Sequence, residues 1–272
     1  MTQSGLLLVD KSEGWTSHDI VARTRSLAGT RRVGHAGTLD PMATGLLILG
    51  INNATKLLTF LVGADKTYLA TIRLGASTVT DDRESEYLSV AAAGTVAALS
   101  GESLNAGLDA LRGDIMQVPS SVSAIKVNGE RAYAKVRGGD EVKLAARPVK
   151  ITRFEVLGET RLSVDADGNQ MLDLDCVIDC SSGTYIRALA RDLGASLGVG
   201  GHLTALRRTR VGEYSVENAQ TIEHLGESQA VGEPLPVLGL ADSAREQFLA
   251  RELTAQEVVD LRHGKRIPVD IE

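Results

Sequence analysis

The sequence predicts an α+β fold with a mixed or antiparallel sheet. Strand-like and helix-like patterns are interspersed along its 272 residues, without the regular alternation that a doubly wound βαβ sheet requires. The clearest strands also alternate apolar with polar residues, as strands with one wet face do.

The elements follow in chain order. Leu6-Leu7-Leu8-Val9 is a continuous apolar run and reads as a buried strand. A helix is expected from Ser17, acting as its cap, to near Gly29. Thr67 to Leu74 places Tyr68, Ala70, Ile72 and Leu74 on one face of a strand. Residues 76–90 are acidic and turn-rich. Leu104, Leu108 and Leu111 recur at helical spacing. From Met171 to Asp179, Leu172, Leu174, Cys176 and Ile178 alternate mostly with aspartates, a second strand. Ile186, Leu189, Ala190, Leu193 and Leu197 mark a helix over Tyr185 to Leu197. Gly226 to Pro236 reads as a linker or a surface loop. Thr254-Ala255-Gln256-Glu257 is a capping box for a last helix, with Gly264 at its C′ position.

Length allows one large domain, or a large and a small one. No apolar stretch suits a bilayer span, and the N-terminal run lacks the basic flank and cleavage site of a signal peptide. Two cysteines, Cys176 and Cys180, are too few for a disulfide framework or a four-ligand zinc site, and the five histidines have no metal-ligand spacing. A reduced, cytoplasmic protein without a metal is the expectation. The net charge of −6 argues against a generally basic nucleic-acid binder. Its distribution is uneven: residues 213–272 hold 12 acidic and 5 basic side chains, while 111–160 and 181–212 together hold 14 basic and 7 acidic. A local basic cleft on an acidic protein can still bind phosphates.

The run Gly34-His35-Ala36-Gly37-Thr38-Leu39-Asp40-Pro41-Met42-Ala43-Thr44-Gly45 mounts a single carboxylate in a glycine-rich loop. Glycine permits close backbone approach, and Pro41 restricts Asp40 to extended conformations. Asp-Pro is also a good helix start, with Asp at the N-cap and Pro at N1. Asp40 could do both, capping a helix and still presenting its carboxylate.

The whole run resembles the signature of the TruB-type bacterial tRNA pseudouridine synthases, in which this aspartate is catalytic. Four further segments resemble that family in its order: Lys66-Thr67-Tyr68, Pro119 to Lys126 running on to Arg137, Ser182-Gly183-Thr184-Tyr185-Ile186-Arg187, and Gly201-His202-Leu203-Thr204-Ala205-Leu206-Arg207-Arg208. The resemblance extends from residue 6 to about 212. It implies a pseudouridine-synthase core around a central mixed, largely antiparallel sheet in residues 1–235, with a partial PUA-like piece in 236–272. It implies Asp40, Tyr68 and Arg187 as catalytic residues, with Arg187 pairing Asp40 and Tyr68 stacking on the base and serving proton transfer at C5. Leu206 and Tyr185 would line the base, and His35 would fill the space the base leaves. Lys11, Lys126, Arg137, Arg207 and Arg208, with Arg31 and Arg32, would contact the RNA. The implied partner is the T-arm of tRNA, acted on at position 55 by a monomer that needs no cofactor.

Three positions depart from the family pattern. Ser12 stands where proline often follows the lysine, Thr78-Val79-Thr80 followed by Asp81-Asp82 replaces Thr-Asp-Thr, and Ser182 replaces a frequent lysine. Two rival functions follow from the residues. One is a non-catalytic RNA-binding or RNA-folding module, which would have no need of Asp40, Tyr68 and Arg187 together. The other is a glycosidase-like hydrolase, for which Asp40 lacks an obvious second carboxylate.

Overall fold

A computed structural model describes residues 3–120, 126–127, 130–131 and 144–268. The strands are β1 (Gly5–Lys11), β2 (Val33–His35), β3 (Thr44–Ile51), β4 (Lys66–Leu74), β5 (Ala76–Thr78), β6 (Tyr87–Val90), β7 (Gly113–Gln117), β8 (Lys126–Val127), β9 (Glu130–Arg131), β10 (Arg147–Val156), β11 (Arg161–Val164), β12 (Gln170–Cys180), β13 (Gly201–Val211), β14 (Tyr214–Ser215) and β15 (Leu238–Gly239). The helices are α1 (Ser17–Ala28), α2 (Leu58–Gly63), α3 (Gly101–Ala110), α4 (Ile186–Ser196), α5 (Ile222–Ala230), α6 (Leu240–Gln247) and α7 (Ala255–Arg262). Among the described residues no helix is long and apolar enough to cross a membrane.

One 11-stranded sheet runs in the order β15-β1-β3-β13-β4-β12-β10-β7, with β2, β14 and β11 paired to β3, β13 and β12. Its strand pairs are antiparallel except β3–β13, which join in parallel at Arg207↔Thr44 and Arg208↔Gly45. The expected mixed, largely antiparallel sheet is therefore present. Leu7, Val9, Leu47 and Leu49 face the larger core with α1 and α4, while Leu6, Leu8, Leu46 and Ile48 face a second core with α2. Coverage of both faces explains the unbroken apolar runs of β1 and β3.

Local expectations are met in β4, where Lys66, Tyr68, Ala70, Ile72 and Leu74 are buried in alternation. Helix α4 keeps Ile186, Leu189, Ala190 and Leu193 in the core, and Gly264 follows α7 with φ of 72°. Three expectations change. The cap of α1 is Thr16, which forms a capping box with Asp19; Ser17 is the first helical residue. Residues 226–230 belong to α5, because Ile222 and Leu225 anchor that helix in the core. No helix starts at Asp40-Pro41. Ala43 N donates to the Asp40 carbonyl at 3.1 Å, closing a turn, and Thr44 begins β3, whose apolar run serves both cores.

The loop before β3 is fastened from two sides. Ser17 Oγ, fully buried, donates to the Leu39 carbonyl at 3.0 Å and accepts from Leu39 N at 2.9 Å. Lys11, at the end of β1, is also fully buried. Its Nζ donates to the carbonyls of Ser12 (3.0 Å), Trp15 (2.7 Å) and Pro41 (3.1 Å). All three ammonium donors are thereby used, and the Ser12 turn is closed without proline. Burial pushes the Lys11 amine down to about 8.

Strand β13 changes phase along its length. A register shift between Leu203 and Ala205, opposite Ile72 and Thr71, inverts which side chains point inward. Leu203 is buried before the bulge; Leu206 and Arg208 are buried after it, while Arg207 turns to the other face. At the far edge, β15 pairs with β1 at Gly5↔Gly239 and Leu6↔Leu238, so residues from 236–272 extend the main sheet.

Gly45 sits at the parallel seam with φ of +100°, and a Cβ there would lie 2.2 Å from the Arg208 carbonyl oxygen. Gly45→Ala is expected to lower stability by roughly 3 kcal/mol in chemical denaturation. A second outcome concerns Lys11. Its folded pKa lies below the unfolded value of 10.5, so the unfolded chain holds more protons between pH 8 and 10.5 and stability rises with pH there. Compared with Lys11→Met across that range, the wild-type protein should gain at most about 3 kcal/mol. Denaturation curves with no relative gain would contradict a buried ammonium.

Candidate active site

A pocket of about 300 Å³ opens where the Asp40 loop, the start of β4, the N-terminus of α4 and the bulged part of β13 converge. Asp40, Tyr68, Tyr185, Arg187, Leu206 and Arg208 all line it, together with Lys66. The segments that the sequence singled out far apart therefore meet at one place.

Arg187 is the second residue of α4 and is buried, with a side chain 6% exposed. Its Nε lies 3.0 Å from Asp40 Oδ2, and Nη2 donates to Oδ1 at 3.4 Å. Nη1 donates to the Thr80 carbonyl at 2.7 Å and to Ser120 Oγ at 3.3 Å, and lies 3.6 Å from Asp82 Oδ2. One guanidinium thus faces two carboxylates, whose charges offset the cost of burying it. Asp40 keeps a partly open side chain (36% exposed), whereas Asp82 is sealed (2%). Asp82 also accepts from Thr80 Oγ and from Glu84 N at 2.9 Å, and it does not line the pocket. The second carboxylate that the sequence did not reveal belongs to Arg187 rather than to the cavity.

The start of α4 has no cap from its own side chains. Gln117, buried at the end of β7, supplies one: its Nε2 donates to the Tyr185 carbonyl at 3.0 Å and its Oε1 accepts from Tyr185 N at 2.8 Å. Tyr68 is buried but lines the pocket, and burial raises its phenol above the usual range while the neighbouring Arg208 opposes this. Ser182 Oγ donates to the Val62 carbonyl at 2.8 Å, a bond that ties the turn before α4 to the end of α2.

Several expected RNA-contacting residues have structural partners instead. Lys11 is buried under the Pro41 turn. Arg207 pairs with Asp10 through two bonds of 2.9 and 2.7 Å, on the face away from the pocket floor. Arg208 is 1% exposed; Nε donates to the Leu46 carbonyl at 2.8 Å and Nη2 to the Gly37 carbonyl at 3.1 Å. Neither Lys11 nor Arg208 is a surface cation, because the strands carrying them are covered on both faces. His35 does not line the pocket; it is half-buried, edge-on to His18 with ring centroids 5.9 Å apart. Burial, then His18 and Arg208, hold its imidazole below the usual range. Lys126 begins the two-residue β8, its side chain outside the described residues, as is Arg137. Arg31 and Arg32 are exposed. Sequence reasoning missed Gln117, Asp82, Lys66 and the fastening by Ser17. Asp82 had a visible signal, an acidic pair in the turn region after the tyrosine strand, and Lys66 stood in the Lys66-Thr67-Tyr68 segment without a role of its own.

Comparison with known proteins accords with this geometry. The N-terminal domain of TruB family pseudouridylate synthases matches residues 25–186, and the tRNA pseudouridylate synthase B C-terminal domain matches residues 187–234. The tRNA pseudouridine synthase B of Paenarthrobacter aurescens (strain TC1) is 60% identical over 97% of this chain and 81% of its own length. That of Leifsonia xyli subsp. xyli is 57% identical over 98% and 84%. Among solved structures, a Cbf5–Nop10–Gar1 complex matches with a TM-score of 0.59 and 25% identity, over 85% of this chain and 57% of the other. An archaeal box H/ACA Nop10–Cbf5 complex matches at 0.56 and 26%, over 83% and 53%. The chain, an enzyme that isomerises uridine, belongs to the TruB family of pseudouridine synthases.

Proposed function

We propose that this chain converts the uridine at position 55, in the T-loop of tRNA, to pseudouridine. The observation that carries this is the Asp40–Arg187 pair at 3.0 Å, set in a pocket walled by Tyr68 and Leu206. Residues 1–235 carry the reaction and 236–272 contribute a PUA-like piece. It acts as a monomer in the cytoplasm on the T-arm.

The target base must leave its loop to reach a pocket lined by these residues. Leu206 and Tyr68 form the walls between which it lies. Asp40 then acts at the sugar, either attacking C1′ as a nucleophile or removing the C2′ proton to give a glycal. Both routes use a carboxylate whose direction is fixed by Arg187 and whose loop is held by Ser17 and Lys11. Arg187 is itself anchored by Thr80, Ser120 and Asp82, so it cannot follow the substrate. The base turns, C5 joins C1′, and the C5 proton leaves; the Tyr68 oxygen is the pocket group that serves this transfer. The hydrolase alternative is disfavoured because Asp82 lies beneath Arg187 and does not face the cavity.

Asp40→Asn should abolish tritium release from tRNA labelled with 5-³H-uridine, with a modest fall in Tm, since buried Arg187 loses the nearer of its two carboxylates but keeps Asp82. Appreciable release by the variant would contradict the role of Asp40. Arg187→Ala leaves Asp82 buried without its cation and should cost about 3–5 kcal/mol of stability as well as activity. Arg187→Lys should recover much of the stability while activity stays low, since a single ammonium does not reproduce the guanidinium fork. Thermal melts and turnover measured together test that separation.

A further inference from the structure

Two buried cations at the pocket are not used by the chemistry described above. Arg208 is 1% exposed and Lys66 is 6% exposed, and both line the cavity. Lys66 Nζ donates to the carbonyls of Val62 (2.7 Å) and Ala64. Arg208 spends two donors on the carbonyls of Leu46 and Gly37 and lines the pocket with Tyr68. Among the described residues neither has a carboxylate within ion-pair distance, whereas Arg187 faces both Asp40 and Asp82. Burying a cation without a counter-ion is costly. Here two such cations lie at one pocket, held by backbone carbonyls, so the cavity carries fixed positive charge.

The isomerisation proposed above creates a negative charge in that cavity. When the N1–C1′ bond breaks, its electron pair remains on N1 and resonance spreads it to O2 and O4, giving a uracil anion. C1′ bonds to an Asp40 oxygen or, after Asp40 has taken the C2′ proton, becomes part of the glycal double bond. The anion is consumed when an electron pair from C5 forms the C5–C1′ bond; in the nucleophilic route the C1′–O bond to Asp40 breaks in that step and its pair returns to the carboxylate, and in the glycal route the C1′=C2′ π pair passes to C2′. The C5 proton then leaves, N1 is protonated, and in the glycal route C2′ recovers its proton from Asp40. The electrostatic demand is therefore greatest at the detached base, not at the sugar. Preorganised charge aimed at a developing anion is an effective form of transition-state stabilisation.

We propose that Lys66 and Arg208 form a fixed cationic floor that stabilises the uracil anion during glycosidic cleavage. Their carbonyl bonds hold them in place before substrate arrives, so no reorganisation accompanies the bond breaking. Lys11, buried nearby under the Asp40 turn, is excluded from this role because its three donors are all bound to Ser12, Trp15 and Pro41.

The test compares single-turnover rate constants for loss of the parent nucleoside in two otherwise identical tRNAs, one carrying uridine and one carrying 5-fluorouridine at the target. Fluorine at C5 makes uracil the better leaving group, which lessens the need for stabilisation. Lys66→Met and Lys66→Gln should each slow the uridine substrate on the order of 10- to 100-fold, and the 5-fluorouridine substrate severalfold less. Arg208→Lys, which keeps the charge, should retain the wild-type ratio of the two rates even where both fall. Rate constants are compared rather than amplitudes, so an unfolded fraction does not enter. Equal losses on both RNAs in the Lys66 variants, no loss, or an altered ratio in Arg208→Lys would overturn the cationic floor. Wild-type protein inactive on both RNAs would instead overturn the isomerisation itself.

Discussion

Arg187 joins more of this molecule than any other side chain at the pocket. Its guanidinium meets the Asp40 loop, the Thr80–Asp82 turn, Ser120 and, through its own backbone, helix α4. Each contact restricts the others. Because the guanidinium is planar and donates along fixed directions, the turn after β5 and the loop before β3 must both present oxygen atoms to it from opposite sides. The helix must also start where it does, and the buried Gln117 amide ensures this by binding both polar atoms of the Tyr185 backbone. Such a node has little intrinsic stabilising value, since desolvation offsets most of the charge attraction. Its effect is on geometry: alternative arrangements leave a buried charge unpaired.

The sheet supplies the frame for that node. Strands β3 and β13 meet in parallel over only two residue pairs, yet this short seam brings the Asp40 loop beside Leu206 and Arg208. Gly45 permits the approach, because its missing Cβ leaves room for the Arg208 carbonyl. The bulge in β13 then decides which neighbours face the cavity. Leu206 and Arg208 point in, Arg207 points out to Asp10, and one inserted residue separates the two outcomes.

This bulge also marks the limit of what the residues disclosed. The alternation of β4 and β12, the helix over Ile186–Ser196 and the capping box of the last helix were legible because each depends on local periodicity or local side-chain bonding. The glycines around Asp40 identified a loop, and Pro41 an extended residue before it, but the choice between helix and strand afterwards was made by two apolar cores competing for Leu46 to Leu49. Lys11, Arg207 and Arg208 were legible as charges only. Whether a cation meets phosphate, carboxylate or carbonyl depends on strands distant in sequence, and no local pattern encodes a register shift. Gln117 and Ser17 were invisible for the same reason: a buried polar side chain reveals its purpose only through its partner.

The pairing of β1 with β15 has a consequence for synthesis. Gly5 and Leu6 emerge from a ribosome long before their partners Gly239 and Leu238. Asp40 and Arg187 are likewise 147 residues apart. Contacts between segments so distant are slow to close. A nascent chain carries its carboxylate loop long before the arginine that orients it, so the pocket is completed only once Arg187 has been made.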